Sequence, residues 1–208
     1  MTNWKQALSE LQYDDSHLHT DFIRQDLISC IFHRDEPVAT LLFSFYNIEA
    51  IASSSFSYFS ENYPEAFVEK LRTLGIQNVM AMQYMAVHPL WRKKNNPPIH
   101  SGLILAALSN IVRDAYNVDA GIAPMRRDHK VNELYYSMGA DCIIENHMSH
   151  NTACDLVASV SGRTYPHPIE SVREVTDYLW ETRIDLSQTT PLRKAKTNVF
   201  TLPTRKAA

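Results

Sequence analysis

The chain has 208 residues, a hydrophobic fraction of 45% and a formal net charge of −3. That length and apolar content suffice for one domain with a full core and exclude disorder as the default state. The slightly acidic balance lacks the strongly basic character of a general nucleic-acid binder, so no nucleic-acid partner is expected.

Three cysteines, Cys30, Cys142 and Cys154, are too few and too odd in number for a disulfide scaffold and suit a reducing cytoplasm. No apolar run approaches the length of a membrane span, and MTNWKQALSEL at the N-terminus lacks an apolar signal core. A cytoplasmic protein with no membrane span is therefore expected.

Trp4, Ala7, Leu8 and Leu11 share one face of a short helix over 3–12. LISCIFH (27–33) and VATLLFSFY (38–46), separated by RDEP, predict a β-hairpin. The Ser- and aromatic-rich run 48–59 fits either a loop or a short helix over a cleft. SENYPEAFVEKLRTLG (60–75) predicts a helix, with Pro64 in its first turn and Gly75 at its stop. VMAMQYMAV (79–87) is apolar without alternation, as in a central strand covered on both faces; Gln83 and Tyr84 are polar candidates for the floor of a site or satisfied core groups. Ile104, Ala107, Leu108, Ile111, Val112 and Ala115 form one stripe of a helix over 103–116. A short strand (119–125), a helix over 127–139 stopped by Gly139, and two strands about a polar turn (140–160) follow. Cys142 and Cys154 either lie near each other across that hairpin or are two free core thiols. Val172, Val175, Leu179 and Trp180 predict one more helix in a C-terminal appendage (165–208) that ends in an extended tail, after a main domain at 1–164.

The chemistry concentrates in the loop 88–102. Arg92, Lys93 and Lys94 follow the buried strand, and Ser101 and Gly102 open the next helix. Unpaired N–H groups and the positive end of a helix dipole make such a terminus an anion site, and Gly102 lets a phosphate approach the backbone. A solvated charge cluster is the bland alternative. His147 and His150, like His17 and His19, are short-spaced pairs without a metal-site set of partners, so no metal is expected.

AVHPLWRKK (86–94) resembles the signature segment of the GNAT superfamily of N-acyltransferases, where an apolar strand ends in V-H-P, an aromatic and Arg before the acyl-CoA pyrophosphate loop. NELYYSMGA (132–140) resembles that family's helix ending in L-Y-x-x-x-G-F, with Leu134, Tyr135 and Gly139 in register. The departures are NNPPIHSG in place of a compact Gly-rich turn, Ala140 in place of Phe, and no acidic residue on the central strand, where Ala81 and Gln83 stand. The extended loop and the C-terminal region look like those of the long-chain N-acyl amino acid synthases within the superfamily.

The resemblance implies an α/β fold with a mixed central sheet and helices on both faces. It implies acyl transfer from acyl-CoA or an acyl-phosphopantetheine, the latter on acyl carrier protein as a partner, to a small-molecule amine acceptor. Tyr135 is then the acid that protonates the departing thiolate, and the backbone N–H groups of Met85, Ala86 and Val87 polarise the thioester carbonyl. Glu49, Glu145 and His147 are the candidate general bases. Loops 46–63 and 145–152 are the candidate acceptor walls, and the aromatics of 56–67 suit either an acyl tunnel or core packing. The departures also suit a competing expectation, a degenerate GNAT fold that binds a ligand or protein and catalyses nothing.

Overall fold

The computed structural model describes residues 25–92 and 101–186. The expected helix over 3–12, Lys93, Lys94 and the expected extended tail lie outside the described residues. The first hairpin forms where the β-rich runs predict it, as β1 (Leu27–His33) and β2 (Glu36–Asn47). Two short helices, α1 (Ile51–Ser54) and α2 (Ser57–Asn62), replace the ambiguous Ser-rich run. Pro64 caps α3 (Glu65–Thr73) instead of entering it: with ψ 155° it is extended, and the helix begins one residue later.

β3 (Asn78–Val87), α4 (Ser101–Ala115) and β4 (Ala120–Arg126) follow. Next come α5 (Val131–Ser137), β5 (Asp141–Ser149), β6 (Thr152–Val160) and α6 (Glu170–Glu181). α5 is shorter than the pattern predicts because RDHK forms a turn, with Lys130 left-handed (φ 55°) at the helix start. The six strands of the described residues form one sheet in the order β1-β2-β3-β4-β6-β5, in which β3 and β4 are parallel and the other neighbours antiparallel. The α/β fold with a mixed sheet and helices on both faces is the one the sequence predicts.

Apart from Asn78 at its start and Gln83, β3 is built of apolar and aromatic residues because both its faces are covered. Val79, Ala81 and Tyr84 join Tyr58 and Phe59 of α2, Tyr63 of the turn that follows, and Phe67 and Leu71 of α3 in one core. Met80 and Met82 join Leu105 and Val112 of α4, Tyr135 of α5 and Met138 just after it in the other. A fully covered side chain such as Phe67 or Leu71 contributes about 1.5–3 kcal/mol. The Tyr63 and Phe67 rings stack at 5.2 Å inside the first core, so core packing rather than an acyl tunnel accounts for these two aromatics. α6 lies on α4 through Val172, Leu179 and Trp180, against Ile104, Ala107 and Leu108.

Arg113 is fully buried at the C-terminal end of α4. It bonds Asn110 Oδ1 at 3.2 Å, the Ser159 carbonyl at 3.0 Å, Thr164 Oγ1 at 2.8 Å and Asp114 at 2.7 Å. A buried charge persists only with such satisfaction.

Candidate functional site

β3 and β4 pair only at Val79–Ala120, Met80–Gly121 and Ala81–Ile122. Beyond those pairs the two strands diverge, although β3 runs on to Val87 beside β2 and β4 runs on to Arg126 beside β6. Pro124, just past the last pair, has no N–H to offer a neighbouring strand.

A bulge accompanies the divergence. Thr40 pairs with Ala86 but Leu42 pairs with Gln83, so β3 holds one residue more than β2 over this stretch. Tyr84 absorbs it at φ 51°, a conformation that is expensive for an aromatic residue and natural for glycine. The backbone of Met85, Ala86 and Val87 thus has β2 on one edge and the diverging gap on the other. Tyr63 reaches the gap from the α2–α3 face, its hydroxyl 3.4 Å from the carbonyl of Ile122.

On the opposite face stands the N-terminus of α4. Ser101 is buried, whereas a Cβ built on Gly102 would meet nothing within 4 Å. The basic loop starts docked: His88 N–H donates to the Val38 carbonyl at 2.8 Å, His33 and Trp91 rings lie 4.8 Å apart, and Arg92 Nε donates to the Val87 carbonyl at 3.2 Å. Arg92 is therefore held at the end of β3.

Tyr135 is on this face and is fully buried. Its hydroxyl lies 3.1 Å from Ser109 Oγ of α4 and donates to Met82 Sδ at 3.6 Å, Met82 being the first β3 residue past the last β4 pair. Burial pushes the phenol up to about 12, with the Ser109 contact pulling the other way.

The expected bases are placed apart. Glu49 lies at the far end of β3, where Asn47 pairs with Asn78, and it joins Glu65 and Glu69 around Arg72, whose Nε is 3.0 Å from Glu49 Oε1. Glu145 is exposed on β5. His147 pairs with Cys154 on the α2–α3 face of the sheet, with Nε2 buried and without a hydrogen-bond partner among the described residues. Gln83 is buried too; its Oε1 accepts from Gln25 Nε2 at 2.9 Å, and its own Nε2 has no such partner among the described residues.

The two expected acceptor walls meet. Ser149 Oγ, at the β5–β6 tip, donates to Asn62 Oδ1 of α2 at 2.9 Å, and His150 lies edge-on to Tyr84 at 6.4 Å. Asp155 of β6 sits in no motif or spacing that singles it out. Buried on the α4–α5 face, it accepts from Tyr136 OH at 2.7 Å, Asn132 Nδ2 at 2.8 Å, Asn146 N–H at 2.9 Å and Arg127 Nη1 at 3.0 Å. Cys142 contacts the same Tyr136 hydroxyl. Cys142 and Cys154 therefore lie on opposite faces, and only Cys154 is buried; all three cysteines are free thiols. Among the described residues no group of three or more His, Cys, Asp or Glu is placed to hold a metal ion, and no helix is long and apolar enough to cross a membrane.

No family model and no curated protein sequence matches the chain. Among solved structures it is similar to FeeM, an N-acyl amino acid synthase from uncultured soil microbes. The TM-score is 0.53 at 11% identity, over 76% of this chain and 79% of that one. It also matches BjaI, a CoA-dependent acyl-homoserine lactone synthase solved with SAM and isopentyl-CoA (TM-score 0.45, 11% identity, 86% of this chain and 85% of that one). A third is NAA60 of Arabidopsis thaliana in complex with acetyl-CoA (TM-score 0.42, 11% identity, 77% and 94%). The likeness to FeeM is one of fold, and the fold is the GNAT type.

Proposed function

From a chain with the GNAT fold, we propose that this protein transfers an acyl group from a pantetheine thioester to a small-molecule amine. The observation that carries this is the divergence of β3 from β4 at Met82, bulged at Tyr84, beside the open N-terminus of α4. A thioester arm entering between the strands meets the backbone donors of Met85 to Val87, which suit the oxygen of a tetrahedral intermediate. Its phosphates, on the α4 side, meet Gly102, the helix N-terminus and Arg92. The amine then approaches from the Tyr84 face, opposite the donor, for direct attack. Acyl-CoA and acylated carrier protein both supply such an arm. A free amino acid is the first acceptor to try, because the fold is shared with an N-acyl amino acid synthase.

Tyr135 acts on the leaving sulfur. At about 12 its phenol stays protonated near neutrality, as a donor must. Full transfer to a thiolate whose thiol has a pKa of about 8.5 is uphill, so the phenol acts by hydrogen-bonding the sulfur as charge builds. Tyr135→Phe should lower kcat about a hundredfold, with the thermal shift caused by the donor unchanged. Unchanged turnover would remove Tyr135 from the mechanism.

Gly102→Ala separates phosphate binding from folding. The added methyl has open space and improves helix propensity, so stability should stay level or rise by up to about 1 kcal/mol. The same methyl fills room the phosphates need, and the melting-temperature rise with acyl-CoA should shrink. An undiminished rise would move the phosphates away from this helix terminus.

The test of the function is a thermal-shift titration with acetyl-CoA, a long-chain acyl-CoA and acylated carrier protein in parallel. A ligand that binds only the folded state raises the melting temperature by mass action. Stabilisation by one of them supports the proposal and identifies the donor class. No shift with any favours the non-catalytic binding module, which the Pro-containing loop and the missing strand carboxylate also suit.

A further inference from the structure

Ser109 is a polar residue on the core-facing stripe of α4. Leu105, four residues before it, and Val112, three after, pack into the core beneath α4 and α5, and Ser109 itself is fully buried. A hydroxyl in such a place must be hydrogen-bonded, and this one is satisfied within its own helix: Oγ donates to the Ala106 carbonyl at 2.6 Å. Its single proton is used there, so the Ser109 oxygen, 3.1 Å from the Tyr135 hydroxyl, is left to accept. The phenol proton is thus shared between Ser109 Oγ and, at 3.6 Å, Met82 Sδ. The need is one-sided. Ser109 is satisfied without Tyr135, whereas the buried phenol has Ser109 as its one oxygen partner among the described residues.

The contact stands where β3 and β4 part. Met82 is the first β3 residue past the last β4 pair, and a Cβ built on Gly121 of β4 would lie 3.7 Å from Met82 Sδ. The methionine sulfur therefore lies against β4 at the start of the divergence, and the Tyr135 hydroxyl bonded to it is at the same place. A sulfur already accepts from the phenol there, so a thioester sulfur entering the divergence is the same kind of acceptor. When the phenol turns its proton to that sulfur, Ser109 has a proton to give in return. Its hydroxyl rotates about the C–O bond, from the Ala106 carbonyl to the phenol oxygen. The Ala106 carbonyl keeps its α-helical bond within α4. Ser109 and Tyr135 are both buried, so water does not stand in as the donor.

Resting on the acyl-transfer function above, with Tyr135 acting on the leaving sulfur, we propose that Ser109 is the positioning residue of that phenol. It holds the Tyr135 hydroxyl at the strand divergence and turns its own proton to the phenol oxygen as the sulfur leaves. The amine nitrogen bonds to the thioester carbonyl carbon, and the C–S bond breaks with its electron pair going to sulfur. As charge builds on the sulfur, the Tyr135 proton is drawn toward it without full transfer, and the phenol oxygen takes up part of the charge. Ser109 stabilises that charge by donating to the oxygen. The same contact already pulls the phenol down from the value that burial alone would set. The proton of the amine leaves to solvent and the thiolate takes one from solvent, so the products are an amide and a free thiol. Ser109 acts through Tyr135 and touches neither the acyl donor nor the amine.

The experiment is release of free thiol from acetyl-CoA, a long-chain acyl-CoA and acylated carrier protein with a panel of free amino acids. It compares the wild type with Ser109→Ala, Ser109→Cys, Tyr135→Phe and the double variant of Ser109→Ala with Tyr135→Phe, with melting temperatures taken alongside. Ser109→Ala should lower kcat about 10–100-fold, the loss expected for one hydrogen bond to a developing charge, with the donor KM little changed. Ser109→Cys keeps a weaker donor and should fall between wild type and Ser109→Ala. In the Tyr135→Phe background, Ser109→Ala should change kcat by less than about twofold, because the oxygen it serves is gone. A merely structural role would cost the same factor in both backgrounds. A kcat for Ser109→Ala within about threefold of wild type overturns the proposal. So does an equal loss in the two backgrounds. A Tyr135→Phe variant with full turnover overturns it as well, by removing the phenol that Ser109 positions. A wild type that releases no thiol from any donor fails at the acyl-transfer function itself, and takes this role with it.

Discussion

Asp155→Ala is expected to lower unfolding free energy by about 3–5 kcal/mol. Asp155 is 3% exposed, and its carboxylate joins three segments through four residues: Arg127 after β4, Asn132 and Tyr136 at the two ends of α5, and Asn146 in β5. Its loss strands the buried Asn132 amide inside the protein, whereas Arg127, 44% exposed, turns to water. Desolvation works to raise the Asp155 carboxyl, but the bonds from Asn146, Tyr136 and Asn132 and the charge of Arg127 outweigh it and hold the pKa below the ordinary value. A depressed folded pKa contributes stability that is present above the unfolded value, about 3.9, and is lost as pH falls through the lower folded value. Urea unfolding should therefore show a constant gap between wild type and variant from neutrality to mild acid, and a shrinking gap below pH about 4. A gap under about 1 kcal/mol at pH 7 would contradict the assignment.

Gly139→Ala should cost about 2–4 kcal/mol, large for the addition of one methyl. The residue has φ +87°, and an added Cβ would stand 2.7 Å from the backbone carbonyl of Arg163. The Tyr165 ring, at 3.0 Å, is exposed and can move aside. The Arg163 carbonyl cannot move without the segment after β6, which Tyr165 N–H ties to the Met138 carbonyl at 2.8 Å. Gly139 thus fixes the end of α5, and with it the depth of Tyr135. Thermal unfolding checks this, and a variant as stable as wild type would place the loop elsewhere.

The scaffold was legible where one physical cause dominates a local pattern. Continuous apolarity marked β3 because two cores cover it, and the stripe through Ile104, Leu108 and Val112 marked α4. Gly75 and Gly139 read correctly as helix stops, both at positive φ. What failed to show were features that arise between segments. The bulge at Tyr84 carries no glycine to announce it. Asp155 draws its partners from residues 127 to 146, so no spacing reveals it. Cys142 pairs with Val157, three residues along β6 from Cys154 and therefore on the other face of the sheet, a placement that depends on two bulges of β5 that no spacing announces.

The candidate site was legible in part. The loop 88–102 stands out by its charges and its place between strand and helix, whereas the Met85–Val87 backbone and Tyr135 come from resemblance. Glu49 looked available as a carboxylate near an acceptor loop, but β2 carries it to the wrong end of β3, where Arg72 holds it. His150 was noted as half of a histidine pair. Only the tertiary meeting of α2 with the β5–β6 tip brings its ring into one hydrogen-bonded row with Ser149 and Asn62.

The most direct measurement is thiol release from the donor that stabilises the wild-type protein, followed with and without amine and with the amide product quantified. Thiol and amide are expected in equal amounts, formed only when protein, acyl donor and amine are all present. A donor that binds and raises the melting temperature, yet yields neither thiol nor amide with any amine, would contradict acyl transfer and make the diverging strands a binding cleft.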